Sequence, residues 1–259
     1  MCGIVGYVGK KNAIKVIISG LETLEYRGYD SAGIAYRNVN NELKIIKETG
    51  KIVNLKEKLD FNEESHLGIG HTRWATHGEP NKVNSHPHKI GDITLVHNGI
   101  IENYNELRKF LTDNGYTFYS QTDTEVIPNL IHYYYIKNND KNLLKAVKDA
   151  CLDLKGSFAL EVISKYDPDH MVVVRKDSPL VIGKGDGENY ISSDIPAILS
   201  FTRNFYLLND LEFVLLSRDD AKFYDIDLHP IDKKIQTIEW NASSAEKEGF
   251  EDYMLKEIY

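Results

Sequence analysis

The sequence predicts an α+β fold of four layers, with two antiparallel sheets stacked between helical layers. Three observations predict it. Strand-like and helical segments come mixed in the first half, and a long series of short β-type runs follows from Ser157 onward. No regular strand–helix alternation runs through the chain, which argues against a doubly wound parallel sheet. A chain of 259 residues, 42% hydrophobic and 27% charged, has ordinary globular composition and enough apolar material for a large core.

The elements follow in order. Gly3 to Val8 is a short apolar run with glycines and reads as a buried strand. Asn12 to Leu24 carries Ala13, Val16, Ile17, Leu21 and Leu24 at helical spacing, with Gly28 as the expected stop. Gly33–Arg37 and Leu43–Lys47 read as a hairpin around Asn38–Asn41. Lys51–Leu59 suits a short helix, and Leu67–His71 another strand. Residues 72 to 91 are polar, with Gly78, Pro80 and Pro87. A loop of that length inside a compact domain is usually functional. Asp92–His97 alternates weakly as a strand and is expected to end in a turn at Asn98-Gly99. Asn103–Asn114 is a helix stopped by Gly115. Thr122 is the expected N-cap of the next helix, with Asp123 and Glu125 in its first turn. The Tyr133-Tyr134-Tyr135 run reads as one helix face, part core and part surface. Lys141–Leu154 is a further helix, with Cys151 on its apolar side as a core thiol.

The closing β-rich half reads as Phe158–Ile163, Met171–Arg175, Val181–Gly183, Tyr190–Ser192, Phe205–Leu208, Phe213–Leu216 and Phe223–Ile226, with Ile235–Ile238 pairing to the last of these. Gly183 to Gly187 is glycine-rich but lacks the Lys-Ser/Thr of a phosphate loop, so it reads as a turn. Residues 251–259 have helical texture without a stop signal, which reads as a chain cut where a linker begins.

Composition excludes several functions. The net charge is −8 with no basic cluster, so nucleic-acid binding is not expected. No apolar run nears the roughly 18 residues that span a bilayer, and the N-terminus has no signal-peptide pattern. Two cysteines cannot build a disulfide framework, which fits a reducing cytoplasm. Six of the nine histidines fall between His66 and His97. They lack an acidic or thiol ligand at a usual spacing, so no metal site is expected there.

The chemistry centres on Cys2. A small second residue favours removal of Met1. Cys2 would then hold a thiol and a free α-amino group, with ordinary pKa values of about 8.5 and about 7.7–8.0. That pairs a nucleophile with its own general base, the minimum equipment for covalent acyl transfer. Five other stretches bear chemistry: residues 25–33 (Glu-Tyr-Arg-Gly-Tyr-Asp-Ser-Ala-Gly), 71–80 (His-Thr-Arg-Trp-Ala-Thr-His-Gly-Glu-Pro), 84–88 (Asn-Ser-His-Pro-His), 97–103 (His-Asn-Gly-Ile-Ile-Glu-Asn) and 122–125 (Thr-Asp-Thr-Glu).

In order and spacing these stretches resemble the glutaminase domain of the glutamine–fructose-6-phosphate amidotransferase family, within the N-terminal-nucleophile glutamine amidotransferases, from Cys2 to Tyr259. The resemblance implies an N-terminal-nucleophile hydrolase fold, with residues 1–240 as the glutaminase domain and 241–259 as the start of a linker to a sugar isomerase domain. It implies that Cys2 attacks the side-chain amide of L-glutamine. Asn98 and the backbone N–H of Gly99 then hold the oxyanion, a contribution of about 2.7–4 kcal/mol per donor. Arg73 would hold the substrate α-carboxylate in a two-pronged bond, supported by Thr76 and His77. Asp123 would take the α-ammonium, and Trp74 belongs to a loop that closes over glutamine. Arg27 and Asp30 are expected to brace the nucleophile strand. No cofactor is implied. Fructose 6-phosphate would be met only by the other domain, and the full-length protein would be a homodimer. Two alternatives stay open: the glutaminase half of a related amidotransferase, and a non-catalytic module of the same fold.

Overall fold

The computed structural model describes residues 2–76, 78–138 and 141–239. His77 and the expected linker over 241–259, with its helical end, lie outside the described residues. Strands in chain order are β1 (Gly3–Gly9), β2 (Ser31–Asn38), β3 (Leu43–Thr49), β4 (Ser65–Arg73), β5 (His88–Ile90), β6 (Ile93–Ile101), β7 (Gly156–Ser164), β8 (Asp167–Lys176), β9 (Val181–Gly185), β10 (Glu188–Ser192), β11 (Asn204–Leu207), β12 (Phe213–Leu216), β13 (Ala221–Tyr224), β14 (Pro230–Ile231) and β15 (Gln236–Thr237). The helices are α1 (Ala13–Thr23), α2 (Ile52–Lys56), α3 (Tyr104–Asp113), α4 (Val126–Lys137) and α5 (Leu143–Asp153).

One sheet runs β15-β11-β9-β10-β1-β4-β2-β3 and the other β14-β13-β12-β8-β7-β6-β5. Neighbouring strands pair antiparallel. The strand period of two sorts side chains into layers. Ile4 and Val8 of β1 meet Val96, Ala159, Ile163 and Val173 in a core between the sheets. Val5 and Tyr7, one residue out of phase, pack under Ile14, Ile17 and Leu21 of α1. Leu95, Leu160, Val162 and Val172 face Leu111, Leu130, Ile131 and Val147 on the far side. The order is therefore helices, sheet, sheet, helices, as the strand and helix pattern predicts. Sheets covered on both faces need apolar residues on both, so strands such as β6 alternate only weakly.

Several boundaries differ from the sequence reading. Helix α1 ends at Thr23, with Leu24 as its C-cap, and a 3-10 turn over Glu25–Arg27 follows. Gly28 is extended, and its role is clearance: a Cβ there would lie 2.6 Å from the carbonyl carbon of Arg73. Asn98-Gly99 is not a turn, because β6 continues to Ile101 and these residues pair with Ala159 and Phe158. Gly99 tolerates this at φ +136, where a Cβ would stand 2.0 Å from Ser157 O. Helix α4 starts at Val126, after Asp123 and Glu125. The Glu125 carboxylate folds back to accept from Ser120 N (2.7 Å) and Tyr119 N, and Thr122 bonds sideways to Ser120 and His88. The expected pairing of Ile235–Ile238 with Phe223–Ile226 is wrong: β15 joins β11 in the other sheet, and β14 pairs with β13. The connection after β4 shrinks to residues 74–87, because β4 runs on to Arg73 and His88–Ile90 forms β5.

Candidate active site

Cys2 stands immediately before β1, on the inter-sheet side set by the phase of Ile4 and Val8. The strand is held at this end by Ser193, whose Oγ accepts from Ile4 N at 3.0 Å and whose N donates to Ile4 O at 3.1 Å. Arg27 pairs with Asp194 next to it. The thiol is half-buried. Trp74 N donates to Cys2 Sγ at 3.3 Å, and the thiol faces Trp74 O at 3.6 Å. Gly28 makes this possible by leaving room for the Arg73–Trp74 backbone.

From the second sheet, Asn98 on β6 crosses to the same point. Its Nδ2 donates to Cys2 O at 2.9 Å. Gly99 beside it is solvent-exposed although Asn98 is buried. The residue just before β1 of one sheet and an amide within β6 of the other thus meet between the sheets.

Charge converges there too. Arg73 is the last residue of β4 and is buried; it donates to Gly78 O at 3.1 Å and Glu79 O at 3.3 Å. Asp123 is buried beside β6, with Oδ2 accepting from Ile101 N at 2.8 Å. Burial pushes the Cys2 thiol up; the Trp74 N–H and the Arg73 cation oppose that shift, and the Asp123 anion adds to it. Burial pulls the Arg73 guanidinium down, while Cys2, Asp30 and Asp123 pull it back. One cation and one anion therefore act on the same sulfur. A thiol pushed up is protonated at neutral pH and needs a base to attack.

Of the other residues expected at the site, Trp74 is 44% exposed, with its ring edge-on to Tyr29 at 5.4 Å. Thr76 is exposed on the following bend. Asp30 braces the loop rather than the strand: its Oδ2 accepts from Ala75 N at 2.8 Å. Sequence reasoning missed the histidines behind Asn98. His71, His86, His88 and His97 are buried, and their clustering in sequence was the visible signal. They bond to backbone, to threonines and, through His71, to the Asn98 amide, with His97 Nδ1 2.9 Å from Thr124 Oγ1 and His86 Nδ1 accepting from His97 N at 3.2 Å.

Residues 73–200 match the family model of the glutamine amidotransferase domain. That stretch is a glutamine amidotransferase domain. The whole chain aligns at 53% identity with a glutamine–fructose-6-phosphate aminotransferase (isomerizing) of Clostridium perfringens, covering 42% of that protein. With the protein of the same name from Methanosarcina acetivorans the identity is 48%, again over the whole chain and 43% of the relative. The chain thus spans less than half the length of those relatives. Among solved structures it is similar in fold to the glutamine phosphoribosylpyrophosphate amidotransferase of B. subtilis, with a TM-score of 0.75 at 23% identity over 88% of this chain and 50% of that one. A glutamine aminotransferase class-II domain protein from Silicibacter pomeroyi matches at a TM-score of 0.61 and 15% identity, over 87% and 99% of the two chains. No helix among the described residues is long and apolar enough to cross a membrane.

Proposed function

We propose that this chain hydrolyses the side-chain amide of L-glutamine, with Cys2 as nucleophile. The observation that carries the reading is the 2.9 Å contact of Asn98 Nδ2 with Cys2, flanked by Arg73 and Asp123. Removal of Met1 frees the α-amino group of Cys2, which takes the thiol proton as sulfur attacks the amide carbon. The carbonyl electrons move to oxygen, and Asn98 Nδ2 with the Gly99 N–H receives that charge. The intermediate collapses as the leaving nitrogen is protonated. Ammonia departs and a γ-glutamyl thioester remains. Water then attacks the thioester, releasing glutamate and restoring the thiol. Arg73 recognises the substrate carboxylate, Asp123 its ammonium, and Trp74, Thr76 and His77 complete the loop over it.

In the whole protein the ammonia would be passed to fructose 6-phosphate to make glucosamine 6-phosphate. The names of relatives about half identical over the entire chain support this. On this reading residues 1–240 are the glutaminase domain, 241–259 begin the linker to a sugar isomerase domain, and the full protein is a cytoplasmic homodimer.

The test is glutamate release by protein whose N-terminus is fixed by intact mass. Chain starting at Cys2 should turn over glutamine, and both Cys2→Ala and protein retaining Met1 should be inactive. Normal turnover by the Met1-retaining form would end the N-terminal-amine mechanism.

A further inference from the structure

We propose that His71 is a positioning residue that sets the orientation of the Asn98 side-chain amide, and so decides that a donor rather than an acceptor faces the reacting carbonyl. The inference deepens the glutaminase reading and rests on it. His71 lies on β4, two residues before Arg73 and on the same inter-sheet face. Its Nε2 is 3.1 Å from His97 O and 3.0 Å from Asn98 Oδ1. A peptide carbonyl can only accept, so Nε2 must carry the hydrogen. An Nε2–H that already faces His97 O can face only the oxygen of the Asn98 amide. A flipped amide would set two N–H donors against each other. The oxygen is thereby held inward, and Nδ2 is turned towards Cys2.

The histidine is itself held. Its ring stacks on that of His86 at 4.0 Å between centroids and 10° between planes. Its Nδ1 makes no hydrogen bond among the described residues, so no competing partner favours the other tautomer. The imidazole is buried, and burial, seconded by His97, pushes its pKa down to about 3. It therefore stays a neutral donor throughout the range in which the enzyme would work. An imidazolium is not needed for the role, only an N–H at one point in space. Losing one preorganised oxyanion donor typically costs about 10²–10³ in kcat. Without the His71 N–H only the Cys2 carbonyl would orient the amide, and the amide so loosened would lose part of that, because it spends time with oxygen facing the developing charge.

The test uses Cys2-initiated protein and four forms: wild type, Asn98→Ala, His71→Leu and His71→Gln, the last because glutamine can place an N–H near the Nε2 position. Glutamate release gives kcat and KM. Alkylation of Cys2 by iodoacetamide gives a second rate, for a displacement at carbon that develops no oxyanion. His71→Leu should lose roughly 30–100-fold in kcat, while its KM and alkylation rate stay within about threefold of wild type. His71→Gln should recover most of the kcat. If His71→Leu does not fold, His71→Asn, whose amide is too short to reach Asn98, replaces it. Wild-type kcat in the leucine form, equal losses in turnover and alkylation, or no recovery with glutamine would each overturn the positioning role. Wild-type protein that alkylates but releases no glutamate would overturn the glutaminase reading, and this proposal with it.

Discussion

Free glutamine carries two opposite charges, so a site for it needs one of each. On the proposed reading Arg73 and Asp123 would meet that need; both are buried and both act on the Cys2 sulfur. In this structure Arg73 donates to the neutral carbonyls of Gly78 and Glu79. A substrate carboxylate is a stronger acceptor and should displace them. Hydrogen bonds to charged groups contribute about 1.5–3 kcal/mol, so Arg73→Ala and Asp123→Ala should each raise KM for glutamine roughly 10–100-fold, with a smaller change in kcat. Steady-state kinetics would remove these roles if KM is unchanged in both. Cys2 stood out in sequence by its type and position, and the family resemblance pointed to Arg73, Asn98 and Asp123, which the structure gathers around the Cys2 sulfur and backbone. His71 was not readable in the same way. A histidine within an apolar strand reads as core, and only the facing strand of the other sheet shows what its ring touches.

At the scale of elements, the segment after β4 is held by several tethers. Asp30 accepts from Ala75 N at its start. Asn84 joins Glu79 O to Gln121, at 2.9 Å to the carbonyl and 2.9 Å from Gln121 N. Lys47 donates to Ser85 O at 2.7 Å near its end. Asp30→Ala removes the tether closest to Trp74 without touching the sulfur. Amide exchange over residues 74–76 should accelerate about tenfold or more, as a charged hydrogen bond of about 1.5 kcal/mol is lost, and KM for glutamine should rise several-fold. Unchanged exchange would show that the tether does not hold the loop. The loop was legible as a loop from its polarity and prolines. Its true limits were not, because β4 and β5 extend into it through pairing with β2 and β6. Likewise Thr122 had the chemistry of a cap, but its hydroxyl bonds across to Ser120 and His88, and α4 starts only at Val126.

At the scale of the molecule, two buried acid–base features oppose each other. Burial pulls His71, His86, His88 and His97 down from the ordinary imidazole range. An unfolded chain binds those protons from about pH 6.5 downward, while the native chain refuses them, so stability is full above that pH and is lost as pH falls. Each such histidine contributes up to about 1.4 kcal/mol per pH unit. Glu161 works the other way. It is fully buried, neither carboxyl oxygen has a partner among the described residues, and burial holds its pKa well above the usual carboxylate range. Its contribution is present at low pH and declines as pH rises. With four histidines against one carboxyl, the melting temperature should fall clearly between pH 7 and pH 5. Glu161→Met should raise it, more at pH 8 than at pH 6. Calorimetric melts across that range would refute this account if they are flat on the acid side, or if the Glu161→Met gain does not grow with pH.

The sequence by itself determined the layer scheme, the candidate nucleophile and the residue types that surround it. Those follow from local periodicity, composition and motif spacing, which act over a few residues at a time. Only the tertiary structure decided where the strands end, that β15 joins β11, that Asn98-Gly99 stays within β6, and that His71 Nε2 faces the Asn98 amide. Each of these depends on a partner strand tens of residues away, and the geometry of such a pairing exists only once the two sheets are packed.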